Sequence, residues 1–323
     1  MRRTAAALGV LLLAARVVSG QPADRGVARI AYLSATPLAP ALVKEFEAAL
    51  QELGWVPGRN VVIDYRSADG QYGRLPGLVD EVLRLKPQLI LTAQTPTTQA
   101  VRKVSTTIPI VMVGHGDPVR YGVVASLARP EGNTTGTAFL VNEVGMKLLE
   151  LLKEAVPRAV RVAFLVNPQN PGAAPLLEAA QALAPRLGLV IIPVEATSPA
   201  KLSQQLDGLT RKSIDAIWLG PEALLLAHRQ QVLDFALAQR VPAAGVGTSY
   251  VTAGALLSYS PDFGSLVKAS ATYVDKILKG ARPHDLPIEQ PSRFELVLNA
   301  RTARALEITL PPALLLRADR VIE

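Results

Sequence analysis

A chain of 323 residues is longer than one hydrophobic core usually serves, so two folding units are expected. Apolar residues make up 49% and charged residues 19%, a globular composition that excludes a disordered chain. The net charge of +7 is spread without basic runs or interleaved aromatics, so nucleic acid is not an expected partner. The lack of any cysteine excludes disulfides, thiolate metal sites, thiol catalysis and a lipid-bearing N-terminal cysteine.

The first twenty residues, MRRTAAALGVLLLAARVVSG, read as a secretory leader. Arg2 and Arg3 precede an apolar run from Ala5 to Ala15, and Val18 and Gly20 sit at cleavage positions. The run is too short to span a membrane as a helix. Without residues 1–20 the charge falls to +4, from 31 basic and 27 acidic residues. The mature chain is expected to be soluble and exported.

From Val27 onward strands alternate with helices. VARIAYLS reads as a strand ending at Ser34. PALVKEFEAALQELG reads as a helix, with Leu42, Phe46, Ala49, Leu50 and Leu53 on one face and Gly54 as its stop. NVVIDYRSA is a second strand, and RLPGLVDEVLRLK a helix that Pro76 and Gly77 suggest starts late. The segments around Leu89–Gln94 and IPIVMVG are the third and fourth strands, flanking a helix expected to begin near Thr97. The rhythm restarts near residue 145. GMKLLELLKEAV, APLLEAAQALAPRLG, PAKLSQQLDGLTRK and ALLLAHRQQVLDFALAQR are helices, interleaved with the strands RVAFLVN, LVIIPVE, DAIWLG and PAAGVG. Such alternation implies parallel βαβ units in two α/β halves. After both halves a helix (FGSLVKASATYVDKILKG), a strand (RFELVLN), a short helix (ARTARALEI) and an end piece remain, so the chain is expected to cross back between them.

Ligands of open parallel sheets bind beyond the carboxyl ends of the strands. In the first half those positions hold Ser34, then Gln94, Thr95, Thr97 and Thr98, then Asp117; in the second, Asn167, Glu222 and Thr248. A helix N-terminus offers unpaired N–H groups and the positive end of its dipole, and threonine hydroxyls add donors without charge, which suits a carboxylate. The competing reading is that Thr95 or Thr97 merely caps the helix. Asp117 either pairs with a ligand cation or makes an Asx turn, and Glu222 either reaches the ligand or favours the first turn of a helix. His115, His228 and His284 are scattered, and neither a metal-ligand spacing nor a nucleophile elbow is present. No cofactor, metal or catalytic group is expected.

Four phrases in order carry a resemblance: GWVPGRNVVIDYRSADG, IPIVMVGHGDPVRYGVVASLARPEGNTTG, the stretch from GALLSYSPDFGSLVK to RFELVLNARTARAL, and LLLRADRVIE. From about Arg29 to the end the chain resembles the solute-binding proteins of ABC-type importers, in the group that includes tryptophan- and tyrosine-binding proteins. The resemblance implies the type I periplasmic binding fold: two Rossmann-like lobes with parallel sheets joined by a three-segment hinge. It implies hinge crossings near Leu140–Glu143, Tyr259–Asp262 and Ala281–Pro287. Residues 28–140 plus 262–282 would form lobe 1, and 141–261 plus 283–323 lobe 2. It also implies a monomeric periplasmic receptor that serves an ABC permease in the inner membrane, with the Thr95-Pro96 turn receiving the carboxylate of an amino-acid-like ligand. A ligand sensor for a membrane receptor is the alternative. Gln94, Thr97 and Thr98, Gly220-Pro221-Glu222 and Thr252-Ala253-Gly254-Ala255 depart from the group's pattern, and point to a more polar pocket and a smaller or more polar carboxylate.

Overall fold

The computed structural model describes residues 26–323, so the leader read from residues 1–20 lies outside it. The first lobe is a five-stranded parallel sheet ordered β2-β1-β3-β4-β5, made of β1 (Ala28–Ser34), β2 (Val61–Ser67), β3 (Leu89–Ala93), β4 (Ile110–Gly116) and β5 (Thr134–Phe139). Between the first four strands run α1 (Pro40–Glu52), α2 (Leu75–Arg84) and α3 (Thr95–Arg102). All five residues of β3 are buried, as expected for a parallel strand covered on both faces. Leu78, Val79 and Val82 of α2 and Val101 of α3 cover one face. Phe46 and Leu50 of α1 cover the other.

The second lobe follows α4 (Val141–Ala155). It runs β6 (Arg161–Val166), α5 (Ala173–Leu183), β7 (Val190–Glu195), α6 (Pro199–Asp207), β8 (Ala216–Leu219), α7 (Ala223–Ala227), α8 (Arg229–Ala238), β9 (Ala243–Gly245), α9 (Thr248–Thr252) and β10 (Leu257–Pro261). The chain then crosses into α10 (Phe263–Leu278), whose Val267, Ala271 and Val274 join the core under α1. It returns as β11 (Phe294–Asn299), α11 (Ala300–Ala305), α12 (Pro312–Arg317) and β12 (Arg320–Ile322). The second sheet is ordered β12-β11-β10-β9-β8-β6-β7, with only β10 and β11 antiparallel. Phe164 and Trp218 stack at 4.2 Å beneath α4 and α5. The opposite face is closed by Leu202 and Leu206 of α6 and by Val232 and Leu233 of α8.

Three segments connect the lobes. Two run from β5 into α4 and from β10 into α10. The third falls later than Ala281–Pro287, because the chain stays paired to the first sheet through Glu289. Thr135 Oγ1 donates to Leu286 O, Glu289 N–H to Gly136 O and Ala138 N–H to Glu289 O. The chain is therefore free to cross only after Glu289, before β11 starts at Phe294. Gly136 itself has φ +125°, and a Cβ there would lie 2.3 Å from Met112 O, so β4 and β5 approach too closely for any side chain.

The helix read as ALLLAHRQQVLDFALAQR divides at His228, whose φ of −106° and ψ of 22° separate α7 from α8. Pro76 falls inside the first turn of α2, where a proline lacks no needed donor, so that helix begins at Leu75 with a 3₁₀ turn in front.

Candidate functional site

The carboxyl ends of both sheets face each other across a cavity of about 690 Å³. Its first wall carries Ser34 and Thr36 beyond β1, Gln94 and Thr95 beyond β3, and Gly116 at the end of β4. Its second carries Asn170 beyond β6, Glu222 beyond β8 and Thr248 beyond β9. Seven aromatic residues also border the cavity. Tyr32, Tyr72 and Tyr121 come from the first lobe, and Phe164 and Tyr250 from the second. Phe139 and Phe263 meet edge to face at 6.0 Å beside the connecting segments.

The threonine mouth is less uniform than its sequence. Gln94 leaves the strand with φ 69° and forms the N-cap position of α3, which begins at Thr95 without a side-chain cap. The Gln94 amide braces the turn after β1: Oε1 accepts from Ala35 N–H at 3.1 Å, and Nε2 donates to Thr36 Oγ1 at 3.2 Å. Ser34 Oγ donates to Thr36 O at 2.8 Å, so this polar cluster is largely closed on itself. Of the three threonines, Thr95 lines the cavity. Thr98 turns inward to Thr92 Oγ1 at 2.8 Å. Thr97 is fully buried with its hydroxyl unpartnered among the described residues, and neither Thr97 nor Thr98 is on the cavity wall. The first-turn N–H groups of Thr95 and Thr97 have no intrahelical acceptor, and Pro96 has none to offer, so the mouth keeps its anion-attracting end.

The acids are also placed apart. Asp117, half-buried with φ 33°, accepts from Arg120 N–H through Oδ1 at 3.1 Å and is not on the wall. Glu222 lines the cavity and is 5% exposed. Its Oε1 accepts from Asn167 Nδ2 and Leu224 N–H, each at 3.2 Å, and its Oε2 from Asn170 Nδ2 and Tyr72 O–H, each at 2.9 Å. Burial pushes the Glu222 carboxyl above its ordinary value, with these donors pulling the other way. Burial, and then the Glu222 charge, push the Tyr72 phenol well up, so Tyr72 is the proton donor of that pair. With all four acceptor positions used, Glu222 has little left for a ligand ammonium. Asn167 serves Glu222 rather than the cavity, where it has no surface.

Among the wall residues that the sequence did not single out are Tyr72, Asn170 and Arg229. Tyr72 follows β2, the one strand of the first four whose exit supplies no candidate in the sequence. Asn170 stands three residues beyond the candidate Asn167. Arg229, the one cationic side chain among the described residues on the wall, lies at the start of α8 and was hidden inside what read as one continuous helix.

The comparisons agree with this geometry. Residues 28–322 match the model of the ABC transporter substrate binding protein family, and the chain belongs to that family. It is a family of extracytoplasmic solute-binding proteins, not of enzymes. The chain is 25% identical over 265 residues to a tyrosine-binding protein of Clostridioides difficile, covering 82% of this chain and 76% of that one. Among solved structures it resembles a conserved domain protein of Vibrio cholerae, with TM-score 0.84, 28% identity and coverage of 91% of this chain and 99% of that one. It is also similar to an ABC domain from Streptococcus pneumoniae in complex with L-Trp, with TM-score 0.83, 25% identity and the same coverages.

Proposed function

We propose that this member of the family is the periplasmic receptor of an ABC importer, closing its lobes on a carboxylate-bearing amino acid with a large, aromatic side chain. The observation that carries this reading is the cavity itself: a helix N-terminus on one wall faces a space of about 690 Å³ bordered by aromatic rings from both lobes. A ligand carboxylate suits the first turn of α3, and a planar side chain suits the half-buried rings of Tyr121 and Phe263. The volume lies within the range usual for small-molecule sites. The more polar pocket read from Gln94, Thr97 and Thr98 is not favoured, since those polar groups are turned inward or used on each other. The names of the tyrosine-binding relative and the L-Trp complex support the same class.

In this reading the leader is removed near Gly20, the mature protein is a monomer, and its partner is an inner-membrane permease that recognises the closed form. A ligand touching both lobes favours closure through its differential affinity for the closed state. The test is a thermal-shift screen of residues 21–323 against amino acids, small organic acids and sugars. A binder at a hundredfold excess over its dissociation constant adds about 2.7 kcal/mol. An upward shift with L-tryptophan or L-tyrosine supports the class, whereas shifts with sugars alone overturn it. Loss of uptake of that solute on gene deletion separates a transport receptor from a sensor.

A further inference from the structure

We propose that Tyr72 and Gly70 form a closing latch with the start of α7, which holds the two lobes together before any ligand arrives. The inference rests on the two-lobed receptor reading but not on the identity of its ligand. Both residues belong to the loop after β2 in the first lobe, where Tyr72 also packs on that lobe's core, and each has a close partner in the second. Tyr72 O–H crosses the cleft to Glu222 Oε2 at 2.9 Å. The receiving carboxylate is prepared for it. Asn167, Asn170 and Leu224 N–H fix its orientation from within the second lobe and leave Oε2 facing the tyrosine.

Two residues earlier the backbones touch. Gly70 has φ +82°, and a Cβ there would lie 2.8 Å from Leu224 Cα and 3.0 Å from Ala223 O. Gly70 is itself held by its N–H, which donates to Ala35 O at 2.8 Å, so the loop cannot easily retreat. Glycine is thus required twice, for its φ and for the approach of α7. The seam is built from protein groups alone, and it includes a hydrogen bond to a charged, desolvated acceptor, the stronger kind. Tyr72 is a positioning residue: it acts by setting how often the binding-competent closed form is present, and apparent affinity scales with that fraction.

The absence of native cysteine allows two introduced thiols to carry the only spin labels. Exposed Lys44 on α1 and exposed Gln230 on α8 place one label on each lobe. In the labelled, ligand-free protein a closed-distance population is expected, and Tyr72→Phe is expected to lower the closed-to-open ratio roughly tenfold while leaving the melting curve nearly unchanged. Gly70→Ala is expected to abolish the closed distance. The apparent affinity for L-tryptophan as probe should fall in proportion to the closed fraction. A ligand-free protein with no closed distance, or a ratio unmoved by Tyr72→Phe, overturns the latch. If the ratio responds but neither L-tryptophan nor L-tyrosine binds in a calorimetric titration, the latch stands and the proposed ligand class falls.

Discussion

His115 offers the most quantitative test of how this wall of the cleft is built. It is fully buried near the end of β4, next to Gly116 on the cavity surface, with its ring 6.4 Å from that of Tyr121. Neither ring nitrogen makes a well-formed hydrogen bond among the described residues, and the Gly116 backbone offsets the burial only in part. Burial therefore pushes the imidazole down from 6.5 to about 4. The sign follows from proton binding: between those values the unfolded chain holds a proton that the folded chain does not. Stability is fully present above 6.5 and is lost as pH falls toward 4. Applying both values to the linkage relation, the loss from pH 7 to pH 5 is about 2 kcal/mol from this group. Urea unfolding of the wild type and His115→Leu at both pH values is the assay, since the double difference cancels every other titrating group. The variant is expected to lose less stability than the wild type on acidification, by about that amount. Equal losses in the two proteins would refute the claim that His115 is neutral and desolvated.

Other expectations follow from single contacts. Gly136→Ala places a Cβ against Met112 O and should cost several kcal/mol or prevent folding, read by soluble yield and circular dichroism. Thr97→Val removes a buried hydroxyl that has no partner among the described residues, so the melting temperature should stay level or rise and binding should be unchanged; a lost ligand would return Thr97 to the site. The Asp215 carboxyl is held down at about 2 by hydrogen bonds from Arg161, so its contribution is present above 3.8 and disappears as pH falls from there toward 2. Asp215→Asn should flatten the stability profile in that window and nowhere else, as followed by thermal melts across the acid range.

The fold was legible because most of its strands are apolar runs of the parallel, doubly covered kind and most helices carry one apolar face. Leu89–Ala93 and Arg161–Val166 announce themselves in this way. β5 does not, because TTGTAF has little apolar signal; its threonines and Gly136 are buried by neighbouring backbone, not by their own hydrophobicity. The third crossing was misplaced for a related reason. Backbone bonds from β5 to residues 286–289 hold that segment to the first lobe, and backbone pairing leaves no mark in side-chain pattern. In the site, sequence located the right turns but not which side chains face outward. Thr95, Thr97 and Thr98 are equivalent on paper, and only the helical rotation between them puts Thr95 toward the cavity and the others into the core. Glu222 was legible as a helix-starting acid, and it does cap α7; that it also receives a tyrosine from the opposite lobe is a long-range fact invisible in GPEA.

The central claim is that the cleft takes an aromatic amino acid by its carboxylate. Calorimetric titration of the mature protein with L-tryptophan and L-tyrosine, beside tryptamine and tyramine, tests it directly, because each amine keeps the ring and loses only the carboxylate. The account predicts binding of at least one amino acid and a loss of a hundredfold or more, about 2.7 kcal/mol, for its amine. Amines that bind as well as the acids, or the absence of heat from all four, would contradict it.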